Sequence, residues 1–507
     1  MNRSRSAPRA LAVFAGVVAI VAAACGSTTT SSAPSAAASA AAPSTAAATA
    51  APTPVVVAIT PEPVGLIGPN GGKVIRWFIG LGGGGQPAQI KAEQDFATAF
   101  NADPANKDKI YLAPEIYSNQ VAAQQLQVQI AAGNPPDVIG PVGVEGLNIF
   151  RDNLLDVKPL IASQKFDMTK FDPALVDFFD IGKAGATIGV PYATYPSFIY
   201  YNKKLFDEAK LPLPPTKVGE MYNGKPWDMA ALRELGMKLT VDKNGNDATS
   251  ADFDAANIVQ WGFDMQWADD RADTEATIFG SSSVVTPDGK TAQITPQFNQ
   301  GLKWFNDGVW KDHFIPTSAA ITSDLLGKGN PFQSGNIAMV STHLWYTCCI
   351  NPAPPAKPSF NWGVAINPSY NGVTTAKLHA DTFSILDSTK NPTEAFDVIK
   401  ALAASPELLT NYGGLSADPA LQQAFLDSVQ KNYPGSKIDF QVIKDSLGYA
   451  DKPSHQGWLP DYQKARDALK AVYSKYRTTA GLDIDAELAT LKTTLQGIFD
   501  QYNAAHP

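Results

Sequence analysis

The chain has 507 residues and a mass of 53.9 kDa, which is too long for one ordinary hydrophobic core and predicts at least two domains. Lys and Arg number 40 against 48 Asp and Glu, a formal net charge of −8. An acidic chain without a basic cluster is a poor binder of phosphate backbones, so we expect no nucleic-acid partner. Five His and three Cys leave little for a metal centre, and we expect no cofactor.

The N-terminal residues predict a secretory signal and a lipid anchor. Arg3, Arg5 and Arg9 form a basic start, and the apolar run from 10 to 24 is too short to cross a bilayer comfortably. The run ends at Cys25 in a segment that resembles a bacterial lipobox, although Ala stands where that pattern prefers Leu. We therefore expect a signal peptide over 1–24 and lipidation of Cys25, with a plain secretory signal and a chance Cys as the alternative.

Residues 25–71 predict a tether. They are nearly all Ser, Thr, Ala, Pro, Gly and Val, and such a segment buries too little apolar surface to offset its chain entropy. No later run reaches 18 apolar residues, so nothing else predicts a membrane span. The pattern favours a folded body that stands off the cell membrane on a disordered linker.

The folded body begins with alternating strands and helices. The predicted elements, in chain order, are a strand over 73–79, a glycine run at 80 and 82–85, a helix over 92–100, a strand over 111–117, a helix over 122–130 and a strand over 137–140. This order predicts a parallel α/β sheet with right-handed crossovers. Ligands of such sheets lie at the carboxyl ends of strands. We therefore expect residues 80–86, 140–145 and the segment around Tyr192 to share one edge.

The C-terminal end predicts two helices. One apolar stripe runs through Tyr462, Ala465, Leu469, Val472, Tyr473 and Tyr476. A second runs through Ile484, Leu488, Leu491, Leu495, Ile498 and Phe499. Stripes at this spacing are typical of core packing.

Four segments in order are similar to a known family. They are 131–138 (AAGNPPDV), 189–206 (GVPYATYPSFIYYNKKLF), 332–339 (FQSGNIAM) and 388–396 (STKNPTEAF). Together they resemble the solute-binding proteins of ABC importers, in the sugar-binding family that includes maltose-binding protein. Lys210 replaces a usual Gly, and an insertion delays the family's Trp to Trp227.

The resemblance implies the fold and the function. The fold is then α/β and periplasmic-binding-protein-like, with lobe one at 72–190 plus 378–447 and lobe two at 195–376 plus 455–507, joined by hinge crossovers. The function implied is capture of a mono- or oligosaccharide in the cleft and delivery to ABC permease subunits. We expect a monomer without catalytic residues.

The resemblance also implies part of the site. A sugar presents an apolar face that an aromatic ring covers, and hydroxyls that carboxylates, amides and Arg satisfy. Tyr195 matches a cleft-lining position, and Trp345 and Trp458 match family sugar-stacking positions. For each aromatic, packing in the core or the hinge is the alternative.

Other candidates come from aromatic and polar residues near predicted crossovers. They are Tyr192 at the first hinge, Trp267 with Asp269, Asp270 and Arg271 in lobe two, and His379 and Asp381 at the return to lobe one. The glycine-rich turn that ends at Gln86 precedes a helix and can bind an anion through backbone N–H groups. It lacks the Lys-Ser/Thr of a P-loop, which excludes nucleotide hydrolysis of that type.

Cys348 and Cys349 are adjacent. Thiols outside the cytoplasm tend to oxidise, yet neighbouring Cα atoms stand closer than in ordinary disulfides. A vicinal disulfide, two free buried thiols and an intermolecular link all stay open.

Two other functions stay open as well. An acidic cleft around Asp269, Asp270 and Asp381 would favour a polyamine, and peptides or organic anions are further non-sugar solutes. A glycoside hydrolase needs two carboxylates at a defined separation, which a sequence does not show.

Overall fold

The structure is a computed structural model. It describes residues 66–83, 85–172, 175–176, 186–267, 271–350, 360–451, 454–457 and 459–506. The chain divides into two units, Met1–Pro54 and Val55–Pro507, and every described residue belongs to the second. The predicted signal peptide, Cys25, Asp269, Asp270 and Trp458 lie outside the described residues.

The first three strands form a parallel sheet. Strands β1 (Lys73–Ile79), β2 (Ile110–Ile116) and β3 (Val138–Gly143) stand in the order β2-β1-β3, with both β2 and β3 parallel to β1. Helices α1 (Pro87–Ala102) and α2 (Asn119–Ala131) connect them. The predicted strand–helix–strand–helix–strand order is confirmed, because β-branched and aromatic strands alternate here with helical apolar spacing.

The folded body begins slightly earlier than the sequence suggests. Residues 66–71, which the sequence assigns to the linker, form a turn against β1 and β2. The Asn70 amide donates to the Ile110 carbonyl at 2.9 Å, and Ile67 bridges to Lys73. Strand β3 also continues three residues past the predicted end at Gly140.

One long strand links the two halves of the main sheet. Strand β4 (Val190–Asn202) is buried along its whole length. It pairs antiparallel with β13 (Leu378–Ile385) and β14 (Leu415–Ser416) over its first part. It pairs antiparallel with β9 (Ile337–His343) and β10 (Trp362–Ala365) over its second part. Tyr192 therefore lies inside a strand, which corrects the expectation that its segment follows one.

The partner change on β4 falls between two residues. Pro196 is opposite Leu378 of β13, and Ser197 is opposite His343 of β9. The full path of the main sheet is β2-β1-β3-β13-β4-β9-β8-β7. Here β7 is Val241–Asp242 and β8 is Ile258–Met265, and β8 runs parallel to β9.

Two small hairpins complete the strands of the described chain. They are β5 (Met221–Tyr222) with β6 (Lys225–Pro226), and β11 (Ser369–Tyr370) with β12 (Val373–Thr374). The hairpin of β11 and β12 turns at Asn371 and Gly372, which both have positive φ.

Helices cover the sheet. After α1 and α2, those of the described chain are α3 (Val144–Phe150), α4 (Lys158–Ser163), α5 (Lys203–Ala209), α6 (Met229–Lys238), α7 (Ala272–Thr277), α8 (Pro296–Trp310), α9 (Ser318–Ile321), α10 (Pro331–Ser334), α11 (Pro392–Ala403), α12 (Pro406–Tyr412), α13 (Gln422–Asn432), α14 (Phe440–Ser446), α15 (Tyr462–Thr478) and α16 (Ile484–Ala505). Short 3-10 helices lie at Arg151–Asn153, Asp324–Leu326, Leu344–Cys348 and Pro419–Leu421.

The last two helices bury the stripes that the sequence predicts. Helix α15 buries Tyr462, Ala465, Leu469, Val472 and Tyr476, while Tyr473 is only partly buried. Helix α16 buries Ile484, Leu488, Leu491, Leu495 and Phe499. In the part of the chain that the structure describes, no helix is long and apolar enough to span a membrane.

Candidate functional site

Several predicted residues meet where β4 changes partner. We call the group of Tyr192, Tyr195, Trp345, His379, Asp381 and Tyr412 the aromatic site. Tyr192 and Tyr195 lie on β4, and His379 and Asp381 lie on β13, where His379 is opposite Tyr195. Trp345 lies in the 3-10 turn that follows β9. Five of these six residues are predicted from the sequence, and they come from three separate stretches of chain; Tyr412 adds a fourth.

Trp345 is the centre of a group of rings. Its ring centroid lies 5.5 Å from that of Tyr195 and 4.6 Å from that of His379. His343, two residues earlier, is 4.1 Å from Trp345 and 4.6 Å from His379. Trp345 is only partly buried, so part of its indole remains available to a ligand. The contacts fix the plane of that ring before any ligand binds.

Asp381 supplies a carboxylate beside these rings. Its side chain accepts a hydrogen bond from the Tyr412 hydroxyl and is 6% exposed. Burial raises the pKa of Asp381 to about 6, against the opposing effect of the Tyr412 hydrogen bond. The Tyr412 ring lies 6.1 Å from Tyr195 and 5.6 Å from Tyr192. Tyr412 thus joins the carboxylate to both tyrosines of β4.

The glycine-rich turn after β1 packs against this carboxylate. A Cβ on Gly82 would stand 2.4 Å from the Tyr412 hydroxyl and 3.0 Å from an Asp381 oxygen, and a Cβ on Gly83 would stand 2.5 Å from the Tyr412 ring. Only glycine permits this approach. Gln86 is exposed at the start of α1, where its backbone N–H donates to the Gln89 side chain at 3.4 Å. The glycine-rich turn therefore packs closely against Tyr412 and Asp381 of the aromatic site.

The two histidines of this region are neutral at pH 7. Burial lowers the pKa of His343 well below its usual value, and the neighbouring His379 adds to the effect. Burial and then Lys377 lower the pKa of His379. Ser197 Oγ donates to the Lys377 carbonyl at 2.7 Å and lies 2.7 Å from His343 Nδ1. His343 therefore carries its proton on Nδ1, an assignment that rests on this hydrogen-bond pattern.

Arg271 lies in a buried charge network. Its guanidinium is 1% exposed and forms two hydrogen bonds with Asp273, at 3.0 and 2.7 Å, and one with the Tyr462 hydroxyl at 2.9 Å. His455 stands 3.4 Å from Asp273 and 2.5 Å from Asp451. Although burial opposes its charge, Asp451 and Asp273 raise the pKa of His455. The network joins α7, α15 and the segment at His455. A role of Arg271 in ligand binding stays a prediction.

Trp267 lies apart from the aromatic site. It follows β8, is 37% exposed and has a positive φ of 53°. Its ring meets Tyr346 at 5.1 Å, and its indole N–H donates to the Gly329 carbonyl at 2.8 Å. Among the residues that the structure describes, its ring contact is to Tyr346 and not to the aromatic site. Its role in ligand binding stays a prediction.

The structure joins Cys348 and Cys349. Their sulfur atoms stand 1.99 Å apart and their Cα atoms 3.8 Å apart. Cys348 is exposed and Cys349 is partly buried, so the alternative of two buried thiols is not what the structure shows. The pair closes the 3-10 turn that carries Trp345.

Sequence reasoning missed Tyr412, His343 and Glu93. Glu93 of α1 lines a cavity of about 10 Å³ behind Tyr192 and Tyr412, room for one water molecule at most. Its side chain is 5% exposed, and Oε2 has no hydrogen-bond partner among the described residues. Burial raises the pKa of Glu93 to about 8. The Gly-Gly pair after Tyr412 could have drawn attention to that tyrosine, whereas nothing local singles out Glu93.

No metal centre is formed by the described residues, which contain no group of three His, Cys, Asp or Glu side chains that could hold an ion. The aromatic site offers ring faces, neutral imidazoles and one carboxyl. Groups of these kinds are able to bind and orient a polar ligand.

Comparison with known proteins identifies the family. The model for bacterial extracellular solute-binding proteins matches residues 83–407. No curated protein matches the sequence. The chain therefore belongs to the bacterial extracellular solute-binding proteins, a membership that implies an extracytoplasmic location.

Solved structures of this type share the fold. The maltose/maltodextrin-binding domain MalE from Bdellovibrio bacteriovorus, bound to maltotriose, is similar over 84% of this chain and 99% of its own, at 17% identity and a TM-score of 0.57. The sugar-binding protein MalE from Xanthomonas citri is similar over 86% and 99%, at 15% identity and a TM-score of 0.62. An ABC substrate-binding protein from Listeria monocytogenes, in complex with cycloalternan, is similar over 85% and 98%, at 18% identity and a TM-score of 0.60. The predicted periplasmic-binding-protein-like α/β fold is confirmed.

Proposed function

We propose that the protein is an extracytoplasmic lipoprotein that captures a mono- or oligosaccharide at the aromatic site and delivers it to an ABC permease. The observation that carries this proposal is the partly exposed Trp345 ring held beside Tyr195, His379 and the Asp381 carboxyl. This set combines a flat apolar surface with a hydrogen-bond acceptor.

The chemistry of a sugar fits these groups. The C–H face of a pyranose covers an indole, and each Å² of apolar area removed from water contributes about 25 cal/mol. The hydroxyl rim donates to Asp381 and to neutral imidazole nitrogens. A ligand without those hydroxyls leaves buried acceptors unpaired, at about 1–3 kcal/mol each. Two structures of similar fold, solved with maltotriose and cycloalternan, support this choice of ligand class.

The lobes and hinges are part of the same proposal. Lobe one comprises 72–190 and 378–447, and lobe two comprises 195–376 and 455–507. The partner change of β4 between Pro196 and Ser197 supports a hinge at this point. Closing the lobes over the ligand is a shift in population between two conformations. The other predicted ligand-binding residues stay candidates for the same ligand in this proposal: Gln86, Trp267, Asp269, Arg271 and Trp458.

The proposal also includes a lipid anchor and the release of the solute without chemical change. Lipidation of Cys25 ties the protein to the cell membrane, and residues 26–65 give the body its reach. Lipid chains contribute about 0.8 kcal/mol per buried CH₂, so more than one chain holds a protein firmly. The monomer releases its solute chemically unchanged.

Thermal-shift screening with mono- to oligosaccharides tests the ligand class. A ligand that binds only the folded state raises the melting temperature in proportion to ln(1 + [L]/Kd). We expect at least one neutral saccharide to raise it. The same saccharide should bind Trp345→Ala at least about tenfold more weakly, a loss of about 1.4 kcal/mol, and Trp345→Phe with a smaller loss. Equal affinity in all three proteins would remove Trp345 from the site.

A cationic solute is the second candidate. One carboxyl, Asp381, lies at the site and forms no ion pair within the described chain. A shift in melting temperature with spermidine or a basic peptide, and with no saccharide, would favour this candidate. Turnover of chromogenic glycosides would instead show a hydrolase.

A further inference from the structure

A second cavity lies away from the aromatic site, in the part of the chain predicted to form lobe two. It has a volume of about 590 Å³ and runs between α6 and α8. The hairpin of β11 and β12 closes one side through Tyr370 and Asn371. Pockets for small molecules measure about 300–1,000 Å³, so the size suits a small ligand. No residue of the aromatic site lines this groove.

Facing helices form its walls. On α8 the lining residues Gln300, Lys303, Trp304 and Asp307 recur at helical spacing, so they share one face. On α6 the lining includes Arg233 and Glu234. The hairpin is held against α6, because the Ser369 N–H donates to the Trp227 carbonyl at 3.0 Å just before that helix. The walls are therefore regular elements whose positions are fixed by packing.

The floor of the groove is aromatic. The Phe279 ring lies 5.8 Å from Trp304 and 4.9 Å from Tyr370. Phe279 is buried, whereas Trp304 and Tyr370 are partly exposed. The groove thus presents two ring surfaces backed by a third ring.

Most charges of the walls are already paired. Arg233 bonds Asp312 at 2.8 Å, and Lys303 bonds Asp485 at 2.8 Å. Glu234 lies between Lys238 at 2.7 Å and Lys225 at 2.9 Å. Because both cations have carboxylate partners, the groove offers little to a phosphate or another anion.

Several other polar side chains that line the groove are not paired, and most of these are uncharged. Among the described residues, the side chains of Gln300, Asp307, Tyr370 and Asn371 have no hydrogen-bond or ion-pair partner. Two amides and one carboxylate therefore lie around the two partly exposed rings, together with the hydroxyl of Tyr370. This mixture of donors and acceptors suits a neutral ligand that carries many hydroxyls and an apolar face.

We propose that this groove is a second carbohydrate site, separate from the aromatic site. Tyr370 and Trp304 cover the apolar face of the sugar, Asp307 accepts from its hydroxyls, and Gln300 and Asn371 bond its remaining oxygens. The site is complete within one stretch of the chain, residues 228–371. It therefore binds without any movement at the hinge.

Calorimetry on the folded chain without its signal peptide tests this inference, with glucose, mannose, galactose, maltotriose and mannotriose as probes. We expect at least one probe to bind the Trp345→Ala protein, and Asp307→Asn in that background to weaken this binding about tenfold or more. Asn371→Gly should weaken it too, and since Gly adopts the φ of 50° found there, the turn stays intact. Asp324→Asn changes an exposed carboxylate outside the groove and should have no effect.

The outcomes separate this inference from the proposed function. If no probe binds Trp345→Ala, or if binding survives both groove substitutions, the second site does not exist. If binding to the wild type is unchanged by Trp345→Ala and lost in the groove variants, the aromatic site is wrong and the groove stands.

Discussion

Glu93 makes the stability of the protein depend on pH in a way that one substitution isolates. The carboxyl is buried, its Oε2 has no partner in the part of the chain that the structure describes, and burial raises its pKa from 4.5 to about 8. The folded state therefore holds a proton that the unfolded chain releases near pH 4.5. Stability from this group is fully present below that pH and is lost as the pH rises towards 8.

The size of the effect follows from the same pKa. Between pH 4 and pH 7 the unfolded carboxyl ionises while the folded one does not. One pH unit corresponds to 1.36 kcal/mol, so the free energy of unfolding falls by about 3 kcal/mol over this interval. Glu93→Gln cannot ionise and lacks this fall, whatever constant cost its amide adds in the cavity.

Urea denaturation at pH 4, 5, 6 and 7 measures the difference. The free energy of unfolding of the wild type minus that of Glu93→Gln should decline by about 3 kcal/mol between the lowest and the highest pH. Glu208→Gln, which changes an exposed carboxylate of α5, should follow the wild type. Parallel profiles for the wild type and Glu93→Gln would show that Glu93 is hydrated or paired in solution, and the reasoning from burial would fail.

Three further predictions concern the site, the body and the anchor. Saccharide affinity should increase between pH 5 and pH 7, because Asp381 ionises near its pKa of about 6 and becomes a better acceptor for hydroxyls. Calorimetry should show no such pH dependence for Asp381→Asn. The same change of affinity with pH in both proteins would contradict the prediction. Arg271→Ala should lower the free energy of unfolding in urea by about 3–5 kcal/mol, because it removes the guanidinium that pairs with the buried Asp273 and leaves only His455 beside that carboxylate, with a smaller loss for Arg271→Lys; equal losses would show that charge is not the cause. Cys25→Ser should move the protein from the membrane to the soluble fraction of cell extracts, and retention in the membrane would exclude the lipid anchor.

The periodicity of the sequence predicts the elements that repeat a simple pattern. Strands β1, β2 and β3 and helices α15 and α16 lie close to where their apolar residues predict them, because the strands are short runs of mostly buried residues and each helix buries one regular stripe. The resemblance to a family adds the fold and the candidates Tyr195 and Trp345, which the structure brings to 5.5 Å. The two rings are far apart in the chain, so no local pattern predicts that they meet. The family resemblance does, because it rests on four segments in a fixed order along the chain.

The rest depends on contacts that no local pattern records. Strand β4 contains Pro191 and Pro196, which favour an interrupted segment, yet pairing on both sides keeps it continuous over thirteen residues. Tyr412 ends a short helix far along the chain from Asp381, and only packing brings the two together. Glu93 is polar on a helix, which favours a surface position, but it is buried behind Tyr192. Each is decided by tertiary packing over intrinsic preference.

Pro196 gives strand β4 a mechanical property. A proline has no N–H to donate, so the ladder of β4 is thinnest at the residue that immediately precedes the change from β13 to β9. Tyr195, one residue earlier, touches Trp345 from the other side of that change. In the proposed function, a saccharide bound on Trp345 would therefore press on β4 beside the residue where its ladder lacks a hydrogen bond, so that binding and bending would occur at the same place.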